Sequence, residues 1–227
     1  MVPVPPPNGP NAAPGHGSVQ PDHAEHFARR LESFTDLVFG FSLSFLAGRL
    51  IVPAHAEDLF TQPAPLLGFA FTFASIAFIW FISHRTFRQF YSPTPIDTLL
   101  VFVELFAVAL LPYALSVALH FYFLAPSVVI FYDLVYGTIM ASNALISYRG
   151  FRRHAPRWDP TTRGHRWRGV VAQTTVAGVF AVDALVAPHS IPASVILYWL
   201  IWPFVFLTMR VFRRPPRSAQ TSAHEPD

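Results

Sequence analysis

Six ionisable side chains stand inside otherwise apolar stretches of this sequence: Asp36, His84, Asp97, Glu104, Asp133 and Asp183. Such a group in hydrocarbon is costly unless it is paired or hydrated. Each is therefore either a polar clamp between helices or a station on an ion or proton path, and carboxylates in that position suit proton relay. A second set carries no charge. Leu37, Phe41, Ser44 and Gly48 recur at spacings of four, three and four, which places them on one face of a helix. With small neighbours at Gly40, Ser42 and Ala47, that stripe reads by composition as a helix-packing face.

The elements that carry these residues follow from composition. Of 227 residues, 52% are hydrophobic and only 13% charged, about half the usual charged share, which excludes an ordinary soluble globule. Six apolar segments, at about 30–52, 65–83, 96–121, 126–148, 168–188 and 191–211, are each close to the roughly 20 residues that cross a bilayer as a helix. The run from Leu66 to Ile82 is apolar all round rather than striped. Alternating ten-residue strands of an outer-membrane barrel are absent from the sequence. The expected class is an all-α membrane protein of six transmembrane helices. Residues 1–27, rich in proline, and residues 214–227 read as disordered tails flanking a membrane domain at 28–213, and the first tail has no apolar core of a signal peptide.

All 16 cationic side chains are arginine, and their positions set orientation. Arg29 and Arg30 precede the first helix, Arg85 and Arg88 follow the second, seven arginines from Arg149 to Arg168 separate the fourth and fifth, and Arg210 to Arg217 follow the sixth. Only Arg49 falls near the opposite face, where Glu57 and Asp58 lie, so both termini are expected to be cytoplasmic. The loop from Tyr148 to Trp167 mixes arginine with Trp158, His154 and His165, and reads as a belt on anionic lipid rather than a nucleic-acid surface. Threading this topology puts Arg30, Asp36, His84, Asp97 and Glu104 in the cytoplasmic half and His120, Asp133 and Asp183 in the outer half. Arg30 and Asp36 are about 9 Å apart along one helix, so the expected partners of Asp36 are on other helices, His84 or Glu104.

The segment Arg30-Leu-Glu-Ser-Phe34-Thr35-Asp36 resembles the R-x-x-x-F-S-D signature of the transmembrane protein 175 family of potassium channels. Trp80, His84, Arg85 and Phe87 at the end of the second helix resemble the ending seen in the family's bacterial members, and a third helix with Asp97 and Pro112 is similar too. The resemblance spans about residues 27 to 213. It implies a homotetramer of six-helix subunits in a bacterial plasma membrane, with helix one lining a central pore. It implies potassium as the permeant ion, with no cofactor, and a hydrophobic constriction in place of a carbonyl filter. The sequence has no Thr-Val-Gly-Tyr-Gly loop. Carried over from the motif aspartate, the constriction falls on Phe41, a hydroxyl layer on Ser44 and an outer apolar position on Gly48, with Leu37 on the same lining. Arg30, Phe34, Thr35, Asp36, Trp80, His84 and Glu104 are then the polar network that holds helix one.

Four departures from the family pattern stand out. Thr35 replaces serine but keeps the hydroxyl. Phe41 replaces leucine or isoleucine, and four rings around an axis either seal it or offer their faces to a cation. Gly48 removes the outer constriction, and Glu104 adds a titrating group where a neutral one is usual.

Other chemistry is poorly supported. With no cysteine, thiolate metal sites, disulfides and cysteine nucleophiles are excluded. His84 and His120 sit at opposite faces and do not suit haem, and His55, His120 and His189 have no regular metal-ligand spacing. Phosphate loops, the Gly-x-Ser-x-Gly elbow and His-Glu-x-x-His pairs are all missing, so no enzyme is expected. Phe34–Gly40 and Phe131–Gly137 share a pattern, the inverted-repeat trace of a transporter, but the other helices do not continue it. A proton-coupled transporter using Asp36, Glu104, Asp133 or Asp183, or a non-conducting scaffold, are the rival functions.

Overall fold

In the computed structural model, residues 20–48, 50, 52, 55, 57, 61 and 63–211 are described, without the side chains of 20–22, 201, 202 and 204–211. Arg49 and the stretches 1–19 and 212–227 lie outside the described residues, as does most of the expected tails. Among the described residues six long helices follow in order: α1 (Gln20–Ala47), α2 (Ala64–Phe90), α3 (Pro95–His120), α4 (Pro126–His154), α5 (Pro160–Val186) and α6 (Ile191–Val211). Among the described residues there is no strand.

Proline punctuates this chain. α2, α3, α4 and α5 each carry one in the first helical turn, where the missing N–H is no loss. Side-chain caps add to this at two starts, with Thr94 accepting from the Asp97 amide at 3.3 Å and Asp159 from the Thr162 amide at 2.9 Å. The amide of Thr162 also holds the exposed Asp159 carboxyl below the usual carboxylate range. Pro112 sits inside α3, and its carbonyl accepts from Ser116 at 2.7 Å. α3 ends where Tyr122 and Phe123 turn left-handed, at φ 52° and 56°. The Phe123 ring is held there edge-on against Tyr132 and Tyr198.

Several boundaries differ from expectation. α1 begins at Gln20, inside the stretch read as a tail, and ends at Ala47 rather than near residue 52. The arginine-rich loop is mostly helical: α4 runs to His154, a 3-10 turn covers Ala155–Arg157, and α5 starts at Pro160. Arginine is a good helix former, so charge marks the membrane boundary there without ending the helix. Trp158 packs against Phe90 and Phe151 under the Arg166 guanidinium at 4.1 Å.

Four of the helices, α2 to α5, are long and apolar enough to cross a membrane. α4 is the hub. It packs on α5, α3 and α2, while α1 rests on α3 and α2 and α6 on α5. α2 and α4 touch at backbone level, since a Cβ on Gly150 would lie 2.7 Å from the Phe90 Cα.

Candidate functional site

α1 has two faces. Leu31, Thr35, Phe39, Ser42 and Leu46 are buried against the rest of the subunit. At Ser42 the packing is close, its hydroxyl reaching the Val108 carbonyl of α3 at 3.4 Å. Leu37, Phe41, Ser44 and Gly48 all lie on the exposed side, with Leu37 53% and Phe41 66% exposed. The structure thus brings the four stripe residues to one face that their own subunit leaves uncovered. Gly40 does not serve close packing within its own subunit, for a Cβ there would meet nothing within 4 Å.

The polar residues near the start of α1 divide into two groups rather than one network. On the exposed side, Trp80 Nε1 donates to Asp36 Oδ1 at 2.9 Å, and the Trp80 indole stacks on His84 with centroids 5.3 Å apart. His84 Nδ1 stands 3.7 Å from Glu32 Oε1. Phe34 touches Phe102 of α3 at 6.1 Å between centroids. Arg30 is exposed and makes no ion pair among the described residues.

On the buried side, Glu104 Oε1 accepts from Ser83 Oγ and from Asn143 Nδ2, the latter at 2.8 Å. A cavity of about 10 Å³, the size of a single water, is lined by Thr35, Thr86, Glu104 and Asn143. Adjacent motif residues therefore part company. Thr35 faces this cavity, with its hydroxyl donating to the Leu31 carbonyl at 2.9 Å, while Asp36 faces out. The expected pairing of Asp36 with His84 or Glu104 is replaced by Trp80, because a 100° step between neighbours sends 35 and 36 to different sides of one helix.

Sequence reasoning missed Glu32, Ser83, Asn143 and the destination of Asp97. Asp97 is wholly enclosed and accepts from Arg149 Nε at 2.6 Å and from Arg153 Nη1. Arg149 and Arg153 are one turn apart on α4, a spacing that could have flagged a shared partner. Ser83 and Asn143 are neutral polar residues in apolar helices, the kind that bond across membrane helices. Tyr91, between α2 and α3, hydrogen-bonds Thr98 at 3.0 Å, and burial pushes its phenol up from the ordinary value. The two sequence echoes also differ in setting, for Asp36 is exposed and Asp133 is 2% exposed.

Among proteins of curated function, none matches the chain in sequence. The family model described as endosomal/lysosomal potassium channel TMEM175 matches residues 30–112. That stretch covers the helix-one motif, α2 and most of α3. Two solved structures share the fold. A variant of the potassium channel MtTMEM175, crystallised with a nanobody–MBP fusion, is 18% identical with a TM-score of 0.66, covering 80% of this chain and 92% of that one. A lysosomal potassium-selective channel TMEM175 homolog from Chamaesiphon minutus is 18% identical with a TM-score of 0.59, covering 83% of this chain and all of that one. The chain thus resembles the TMEM175 family in sequence over residues 30–112 and shares the fold of two solved TMEM175 channels, and it is an integral, multi-pass membrane protein.

Proposed function

We propose that four copies of this chain assemble around α1 into a potassium-permeable cation channel of the leak type, with all six helices crossing the membrane and both termini cytoplasmic. The observation that carries this reading is the two-faced α1. Its apolar and hydroxyl stripe, Leu37, Phe41, Ser44 and Gly48, is left uncovered by its own subunit, as a helix shared around a central pathway requires. Potassium as the permeant ion is supported by the likeness in fold to two potassium channels.

In this reading partly hydrated cations cross a narrow path without a carbonyl filter and are retarded at Phe41, and the Ser44 hydroxyls replace part of the hydration shell. The Trp80 to Asp36 hydrogen bond holds α1 at its angle against α2. Arg149 and Arg153 are engaged by Asp97, which leaves Arg152, Arg157 and Arg163 to meet anionic lipid.

The test is potassium-dependent flux into liposomes holding purified protein, with sodium and proton gradients as controls and the mass of the solubilised oligomer measured first. Non-saturating cation flux from a tetramer is expected. Saturable, pH-driven exchange, or no flux from well-folded tetramer, would overturn the channel.

A further inference from the structure

Two carboxyl groups are enclosed where α4, α5 and α6 meet, away from the α1 face. Asp133 is 2% exposed and Asp183 0%. α6 presents Ser194 and Tyr198, one turn apart, to them. Ser194 Oγ donates to Asp183 Oδ2 at 2.8 Å, and Tyr198 Oη donates to Asp133 Oδ1.

α4 and α5 run antiparallel and come close at the same level. A Cβ on Gly137 would lie 3.2 Å from the Phe180 Cβ, and the Tyr136 and Phe180 rings stack with centroids 4.6 Å apart. Gly137 is one turn along α4 from Asp133, and Phe180 is about one turn along α5 from Asp183. The same contact therefore brings the two carboxyls to one level, facing each other between α4 and α5. Their remaining oxygens, Asp133 Oδ2 and Asp183 Oδ1, are buried, and among the described residues no N–H or O–H reaches either.

Among the described residues no cation compensates the pair. The ionisable groups facing it are Tyr132 and Tyr136 on α4 and Tyr198 on α6. On α3, Glu104 is taken by Ser83 and Asn143, and His120 lies exposed against Phe121. His189, beyond α5, turns back to the Leu185 carbonyl. The ionisable groups of α2, His84, Arg85 and Arg88, stand near its Phe90 end, which meets α4 at Gly150. Two bare carboxylates face to face among hydroxyls and rings would place two uncompensated charges out of water. One O–H between the two orphaned oxygens satisfies both and leaves a single charge for Tyr198 and Ser194 to solvate.

We propose that Asp133 and Asp183 bind one proton between them, as an acid–carboxylate pair, and that this proton fastens α6 to α4 and α5. The proton comes from the medium and no other bond changes. The site is independent of ion permeation and stands whether or not the chain conducts.

Infrared difference spectra of the full-length protein in lipid nanodiscs read the proton directly, as unmodified protein minus Asp133→Asn and minus Asp183→Asn. One carboxylic C=O band, shifting in D2O and lost in both variants, is expected, because an amide N–H takes over the shared position. Any band of Glu104 cancels in the difference. Absence of the band from the unmodified protein, or its survival in either variant, overturns the shared proton. Tyr198→Phe keeps both carboxyls and carries the test if neither asparagine variant folds. It shifts the band without removing it, and a band indifferent to loss of that hydroxyl overturns the assignment.

Discussion

The indole N–H of Trp80 donates to the Asp36 carboxylate at 2.9 Å, joining α1 to α2 on the side of α1 that carries the uncovered stripe. Trp80→Phe keeps the ring and removes the donor. It should cost about 1 kcal/mol, less than a buried bond to a charged group, because both partners are partly exposed. Asp36→Ala should lower the yield of folded tetramer, and a double-mutant cycle in denaturant should return a coupling of about 1 kcal/mol between the two positions. Additive effects would show that the bond does not hold α1.

Phe41, 66% exposed on its own subunit, is the bulkiest side chain of the stripe. Phe41→Ala should raise cation flux in liposomes severalfold while leaving tetramer yield unchanged. Unchanged flux from well-folded tetramer would remove Phe41 from the pathway.

Asp97 is enclosed between two guanidiniums that are themselves about one-third exposed. Asp97→Ala strands both arginines and should destabilise the fold by about 3 kcal/mol, the low end for breaking a buried pair. Arg149→Ala or Arg153→Ala alone leaves the carboxylate one partner and should cost less. Thermal denaturation in detergent gives the order, and equal losses for all three would contradict a shared clamp.

Gly150 lies against the backbone of Phe90, with a built Cβ 2.7 Å from that residue's Cα and Cβ. Backbone cannot swing aside as a side chain does, so Gly150→Ala should cost about 2 kcal/mol or more. Gly164→Ala, where a Cβ meets nothing within 4 Å, is the control and should be neutral or slightly stabilising. A melting temperature unchanged by Gly150→Ala would mean that α2 and α4 separate more easily than their contact indicates.

Glu104 accepts both of its bonds on Oε1, from Ser83 and Asn143. Glu104→Gln retains that oxygen and should stay within about 1 kcal/mol of the unmodified protein. Glu104→Leu removes the acceptor and should lose about 2 kcal/mol. Equal stability of the two variants would show that the carboxyl position is not a bonding centre.

Hydropathy and charge are properties of short stretches, so the helical class and the order of the six segments were legible in the sequence. So was the helix-one stripe, because a helical repeat on one element needs no knowledge of its neighbours. Segment ends were less legible. Residues 148–167 read as a loop because they are charged, but arginine favours helix, and the α-helix is broken only from Ala155 to Asp159.

Which acid meets which partner was decided by tertiary structure alone. Thr35 and Asp36 are neighbours in sequence, yet one lines a buried cavity with Glu104 and the other bonds Trp80 across the outer side of α1. Asp97 found two arginines more than fifty positions away, and Asp133 and Asp183 found hydroxyls of α6, on Tyr198 and Ser194. A helix sequence specifies the angle at which each side chain leaves the axis. The rotation and height at which two helices dock are set by where small residues such as Gly137 and Gly150 let backbones approach, and that docking chooses the partner.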